Sequence, residues 1–233
     1  MTLIDGWSDN TPHAGTSQGI GRRVLIVGGG GIVASHLVAL APADVILHIG
    51  YGTRRPGFDT NARLRRIESV RLDDLLEAFA LIDRARPDVV INAAGMNAVD
   101  ECERDPQRCR LMNVDSTANL LAARHRHPFK LVQLSSNAVY GRGSAPYAPS
   151  DRREPVNAYG RSKRDAEDLV RADTARRPSP PSLASMIVRL SPLYGWSPPW
   201  SRLNPMPWIH RSLSRRTPLD LCNDVFDSPL AAD

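Results

Sequence analysis

The sequence predicts an α/β protein built on a doubly wound parallel sheet, and three features carry that prediction. Short, almost unbroken apolar runs alternate with stretches of helical apolar spacing along the 233 residues. Strands covered on both faces read as such continuous runs, whereas strands with one wet face alternate apolar and polar residues. A run of four glycines, Gly28 to Gly31, stands between the first apolar run and the first helical stretch. Hydrophobic residues make up 42% of the chain, enough for one well-formed core with a small appended lobe.

Taken in order, Arg23 to Val27 is the first strand, and the glycine turn leads into a helix with apolar Ile32, Val33, Ala34, Leu37 and Val38. Val45 to Ile49 is a second buried strand, and Ile67 to Val70 a short third. Asp74 and Glu77 make a capping-box pattern ahead of a helix from Leu75 to Arg86, which Pro87 stops. A strand from Asp88 to Ala94 follows, then a long helix from Pro106 to Arg126 and a strand from Lys130 to Ser135. A helix from Ala158 to Arg176 ends before the proline-rich break Pro178 to Ser182, and Ser185 to Leu190 is one more buried strand. No internal repeat is found.

Gly28, Gly31 and Ala34 stand at G-x-x-G-x-x-A spacing, the Rossmann-type arrangement that brings a pyrophosphate against the positive end of a helix. A glycine run by itself also serves as a plain tight turn; its place after the first strand favours the nucleotide reading. NAD-specific domains end their second strand on a carboxylate that holds the adenosine ribose. Between Val45 and Phe58 there is none, and Arg54 and Arg55 stand there instead. Their guanidinium groups suit a 2'-phosphate, which points to NADPH over NADH. The alternative is that both are solvated loop residues in an arginine-rich chain.

Tyr159 and Lys163 lie one helical turn apart, on one helix face. An ammonium beside a phenol is expected to lower the phenol's pKa and suit it to exchange a proton with a carbonyl or hydroxyl. Of 30 basic residues only Lys130 and Lys163 are lysine, so a lysine at this spacing is informative. Ser136 closes the strand before it, at the carboxyl edge where open parallel sheets bind ligands, although a strand-end turn former would also sit there.

Bulk properties narrow the classes. A formal charge of +5 raises nucleic acid or an anionic surface as a partner, but the arginines are scattered rather than gathered in a stripe. Neither nucleic acid nor membrane is therefore expected. Cys102, Cys109 and Cys222 are an odd set without metal or redox spacing, so no zinc site and no disulfide framework is indicated, and a reducing cytoplasm suits them. No metal ligand set is expected. The first 21 residues are polar and lack an apolar signal core, reading as a disordered leader. No apolar run approaches the roughly 20 residues needed to cross a bilayer.

The blocks VLIVGGGGIVASHL from Val24, RPDVVINAAG from Arg86, MNVDSTANLLAA from Met112, LSSNAVYG from Leu134, NAYGRSKRDAEDLV from Asn157 and VRLSPLYG from Val188 occur in this order. Together they resemble the extended short-chain dehydrogenase/reductase superfamily. Within it the chain is most similar to the dTDP-4-dehydrorhamnose reductase and NAD-dependent epimerase group, and to the methionine adenosyltransferase regulatory subunit. The resemblance implies that Ser136 bonds a substrate carbonyl, Tyr159 gives the proton, and Lys163 binds the nicotinamide ribose. It implies cofactor contacts at Gly28, Gly31, Ile32, Ala93, Ala94, Gly95, Asn113, Tyr159 and Lys163, with Asn92 at the start of that lining. Asn137 and Ala138 stand where the superfamily's sugar-nucleotide dehydratases carry carboxylates, and neither can drive an elimination.

The expected activity is NADPH-dependent reduction of a keto group on a nucleotide-linked deoxysugar. An NAD-dependent sugar-nucleotide epimerase and a non-catalytic NADP-binding regulatory subunit are the alternatives. On this reading residues 22–190 are the NAD(P)-binding domain and 191–233 a partial substrate lobe. Trp196, Trp200 and Trp208, set among prolines, either stack a ligand or pack that lobe. The lobe looks short after the D-x-x-S-P-like segment Asp224 to Pro229, as if a final strand and its helices were missing. An exposed sheet edge then invites pairing with a second copy, a homodimer.

Overall fold

The computed structural model describes residues 21–143, 146–177, 180, 183–201, 205–219 and 230–231. The expected leader up to residue 20, the Asp224 to Pro229 segment and Cys222 lie outside the described residues. The elements in chain order are β1 (Arg22–Val27), α1 (Ile32–Ala39), β2 (Val45–Tyr51), β3 (Leu64–Ser69), α2 (Leu75–Ala85), β4 (Val89–Asn92), α3 (Val99–Arg104) and α4 (Pro106–Arg110). A π-helical turn (Leu111–Asp115), α5 (Ser116–Ala123), β5 (Lys130–Ser136), a 3-10 turn (Asn137–Val139), α6 (Ala158–Arg176), β6 (Met186–Leu190), β7 (Leu193–Tyr194), α7 (Pro205–Ser214) and β8 (Leu230–Ala231) complete the order.

Six strands form one parallel sheet in the order β3-β2-β1-β4-β5-β6. The order reverses direction at β1 and β4, the crevice at which Rossmann-type sheets take their ligands. Side chains of β1 alternate between two cores. Leu25 and Val27 pack with Val90, Leu131, and the apolar faces of α2, α5 and α6. Val24 and Ile26 pack on the opposite face with Leu47, Ile49 and Ala34 of α1. The doubly wound parallel sheet is therefore as the sequence predicts, and among the described residues the C-terminal region adds α7 and a two-stranded β7-β8 pair.

Local signals explain most boundaries. Asp74 caps α2 by accepting from Leu76 N and Glu77 N, and the chain leaves α2 through Arg86 in the left-handed region. Glu77 takes Arg71 N and its guanidinium rather than completing the capping box. Asn157 caps α6 by accepting from Gly160 N at 2.7 Å. The expected single helix from Pro106 to Arg126 is a correction: α4, a π-helical turn and α5 occupy it. The extra residue in a π turn keeps helical composition but rotates the helix beyond it, so periodicity does not reveal it.

Candidate functional site

The glycine turn is held against the end of β4. Gly28 takes φ +87°, and a Cβ there would lie 2.4 Å from the carbonyl carbon of Ala93 and 2.5 Å from Ala94 N. Only glycine accommodates both the conformation and that approach. Gly31 is the N-cap of α1 and provides no side-chain cap. The N–H groups of the first turn, from Ile32 on, thus face the crevice end with the positive pole of the helix behind them. The loop after β2 closes on the same turn, for a Cβ on Gly30 would come 2.6 Å from Arg54 O. Arg54 and Arg55 are exposed there, and among the described residues no carboxylate pairs with either.

Ser136, Tyr159 and Lys163 meet at the carboxyl end of β5. Ser136 Oγ accepts from Ala138 N at 3.1 Å and is fixed toward α6 by the 3-10 turn. Gly160 makes the approach of α6 to that turn feasible, since a Cβ would sit 2.2 Å from Ala138 O and 2.8 Å from Pro155 Cβ. The N–H of Ala158 also donates to the Glu103 carboxylate, so α3 pins the start of α6. Lys163 Nζ donates to Leu134 O at 3.2 Å and lies 5.9 Å from the Tyr159 ring centroid.

Electrostatics at this pair differ from the expectation. Burial pushes the Tyr159 phenol above its ordinary value, and the Ser136 hydrogen bond offsets this only in part. Burial also pulls Lys163 down to about 8. The expected lowering of the phenol by Lys163 is thus not what the fold produces. Desolvation is the largest cause for each group, and the ammonium bonds the Leu134 carbonyl rather than the phenol.

Asn113 lies at the centre of the π-helical turn. Its Oδ1 accepts from Met96 N at 2.7 Å, and its Nδ2 donates to Met96 O at 2.9 Å and Ser162 Oγ at 2.8 Å. Ser162 Oγ in turn donates to Tyr159 O at 2.7 Å. Asn113 therefore supports the loop after β4 and the first turn of α6, with its carboxamide donors already engaged. Gly95 sits against both, a Cβ there falling 2.5 Å from Asn113 Oδ1 and 3.6 Å from Lys163 Nζ. Ala93, Ala94, Gly95, Asn113 and Lys163 thus form one continuous wall running from the glycine turn to Tyr159. Sequence reading missed Gly160, Met96 and Ser162; the Y-G and S-K dipeptides around the tyrosine and lysine were the available signal.

The aromatic segment after β7 crosses back over the first half of the sheet. His36 of α1 bonds Trp196 O at 3.1 Å, and the Trp200 indole packs edge-on to Phe58 at 5.1 Å between ring centroids. The Trp200 indole therefore packs between elements, while the rings of Trp196 and of Trp208 on α7 are exposed.

The chain is 32% identical over 150 residues to a dTDP-4-dehydrorhamnose reductase of Sinorhizobium fredii, covering 64% of this chain and 45% of that protein. It is 28% identical over 174 residues to the methionine adenosyltransferase 2 subunit beta of Pongo abelii, covering 75% and 48%. The chain spans about half the length of the curated relatives it matches. A dTDP-4-dehydrorhamnose reductase structure from Yersinia enterocolitica superposes with a TM-score of 0.62 at 26% identity, covering 83% of this chain and 59% of that one. A dTDP-glucose 4,6-dehydratase of Streptomyces venezuelae, solved with NAD, shares the fold at a TM-score of 0.77 and 23% identity, covering 90% and 68%. The glycine turn, the wall behind it and the Ser136–Tyr159–Lys163 corner all fall within residues 22–233, the span that matches the RmlD substrate binding domain, and the chain belongs to that family.

Proposed function

We propose that this chain carries the nucleotide-binding and catalytic part of an NADPH-dependent reductase acting on a keto group of a nucleotide-linked deoxysugar. The observation that carries the reading is the convergence of Ser136, Tyr159 and Lys163 at the sheet edge, on the wall that begins at the Gly28 turn. The crevice fits a dinucleotide: Gly28 and Gly31 leave its floor free of side chains, and the α1 N-terminus faces it. Gly28, Gly31 and Ile32 would hold the pyrophosphate, Arg54 and Arg55 the 2'-phosphate, and Ala93 to Gly95 the face of the nicotinamide half. Bound NADPH supplies a hydride to the carbonyl carbon. Ser136 and Tyr159 donate to the carbonyl oxygen as charge builds on it, and Tyr159, a phenol that is protonated at neutral pH, gives up the proton. Lys163 spends one donor on Leu134 O and keeps others for ribose hydroxyls. Residues 22–190 form the nucleotide-binding domain on this reading, and 191–233, tied together by the β7-β8 pair, belong to the substrate side.

The test is cofactor titration followed by turnover on keto-sugar nucleotides. NADPH is expected to bind more tightly than NADH, and replacing Arg54 and Arg55 by alanine is expected to weaken NADPH while leaving NADH nearly unchanged. Tyr159→Phe should keep cofactor affinity and lose turnover. Equal affinities for the two cofactors would overturn the 2'-phosphate assignment, and turnover retained in Tyr159→Phe would overturn the mechanism.

A further inference from the structure

Cys102 and Cys109 are seven residues apart in sequence and match no redox or metal spacing. The fold brings them together. α3 and α4 meet at Asp105, which ends the first helix and caps the second by accepting from Arg108 N. Their facing sides set the two Sγ atoms 2.6 Å apart, inside van der Waals contact for two sulfurs. Both thiols are buried with Ala158, Met96 and Tyr159. Cys109 Sγ also lies 3.4 Å from Ser162 Oγ and 3.5 Å from Asn113 Nδ2, the two groups that hold the Tyr159 turn. Among the described residues no cluster of three or more ligating side chains is present, so a shared metal does not explain the approach.

We propose that Cys102 and Cys109 form an oxidation-sensitive dithiol behind Tyr159, which closes to a disulfide by exchange with a small-molecule disulfide such as oxidised glutathione. The bond requires about 2.05 Å between sulfurs, so the pair needs little further approach. Cys109, as thiolate, attacks one sulfur of the small molecule, and the other half leaves with the bonding electron pair. Cys102, as thiolate, then attacks the Cys109 sulfur of the mixed disulfide and expels the second half. The two cysteines lose two electrons and two protons, and the small molecule gains them as two thiols. Burial, together with Cys109, pushes the Cys102 thiol up to about 12, so exchange needs a local opening that returns water to the pair. Access comes through α3 and α4, six and five residues long, too short to resist local opening by themselves. The inference does not depend on the reductase reading.

The test is the redox equilibrium of the full chain carrying Cys222→Ser in glutathione buffers, read by mass after acid quenching and alkylation. It is measured in native buffer and again in concentrated guanidinium, and the unsubstituted chain, mapped by peptide, replaces the variant should that fail to fold. The folded chain is expected to favour the Cys102–Cys109 bond by about tenfold or more over the unfolded chain, because only the fold holds the sulfurs together. An equal or weaker preference in the folded chain, or mixed disulfides with no closure between these two residues, overturns the proposal.

Discussion

Lys163 keeps 8% of its surface exposed, and the loss of water pulls its ammonium from the ordinary 10.5 down to about 8. With the folded pKa below the unfolded one, the charge opposes folding at pH 7, and that cost is relieved as pH rises from 8 towards 10.5. Lys163→Met is therefore expected to stabilise the chain at pH 7 by on the order of 3 kcal/mol while abolishing turnover. Denaturant melts of both proteins at pH 7 and pH 10 check this, and a stability gap that does not narrow at the higher pH would contradict it. Gly160 answers to packing instead. A methyl group there meets Ala138 O and Pro155, so Gly160→Ala should cost about 1–3 kcal/mol. Because the glycine turn is remote from that contact, turnover should fall far more than cofactor affinity. A matching fall in both would show that the contact does not act on Tyr159 in particular.

At the scale of elements, α6 is held to the sheet by a buried ion pair rather than by apolar contact alone. Glu167, without solvent exposure, accepts from Arg189 of β6 through both oxygens, at 2.8 and 2.7 Å, and from Arg153 at 3.2 Å. Burial acts to raise the carboxyl, and the hydrogen bonds and charges of the two arginines outweigh it, holding the group below its ordinary 4.5. Arg189 also bonds Tyr140 Oη at 2.6 Å and Pro149 O at 2.9 Å, which ties the loop after the 3-10 turn to β6. Arg189→Met leaves the buried carboxylate only Arg153 at 3.2 Å and Arg171 at 3.9 Å as cationic partners and should destabilise by about 3–5 kcal/mol near neutral pH. A depressed carboxyl stabilises above its unfolded pKa and loses that contribution as pH falls through the folded one, so the deficit should shrink below pH 4.5. Urea melts at pH 7 and pH 4 compare the two, and a deficit that grows on acidification would refute the assignment. The π-helical turn is the other organising element, for it aims Asn113 at Met96 and Ser162 at once.

Among the described residues the two faces of the sheet are covered unequally. The face shared by Leu25, Val27, Val90 and Leu131 is sealed by α2, α5 and α6. On the other, α1 covers β1 to β3, while Val132 and Val188 remain half-buried and Met186 is 39% exposed. Val132 is in register with Ile91, so this patch continues the apolar surface that α1 covers. Contiguous apolar surface of this kind binds hydrophobic probes. The described chain should enhance the fluorescence of an anilinonaphthalene dye, and Val132→Lys should lower that signal severalfold without lowering NADPH affinity. An unchanged signal would put the dye elsewhere.

Spacing along the chain determined the parallel α/β fold, the glycine turn after β1, the α6 boundaries at Ala158 and Arg176, and the shared face of Tyr159 and Lys163. All of these depend on intervals of a few residues, which backbone periodicity and capping chemistry fix locally. The tertiary structure decided what lies next to what. It set Arg54 against Gly30, Asn113 between Met96 and Ser162, and Cys102 against Cys109. It also reversed the expected effect on Tyr159, because the pKa of a phenol follows how much water the fold removes as well as which charge stands one turn away. Residue intervals do not encode desolvation; only the packing of β5, α6 and the π-helical turn around one corner produces it.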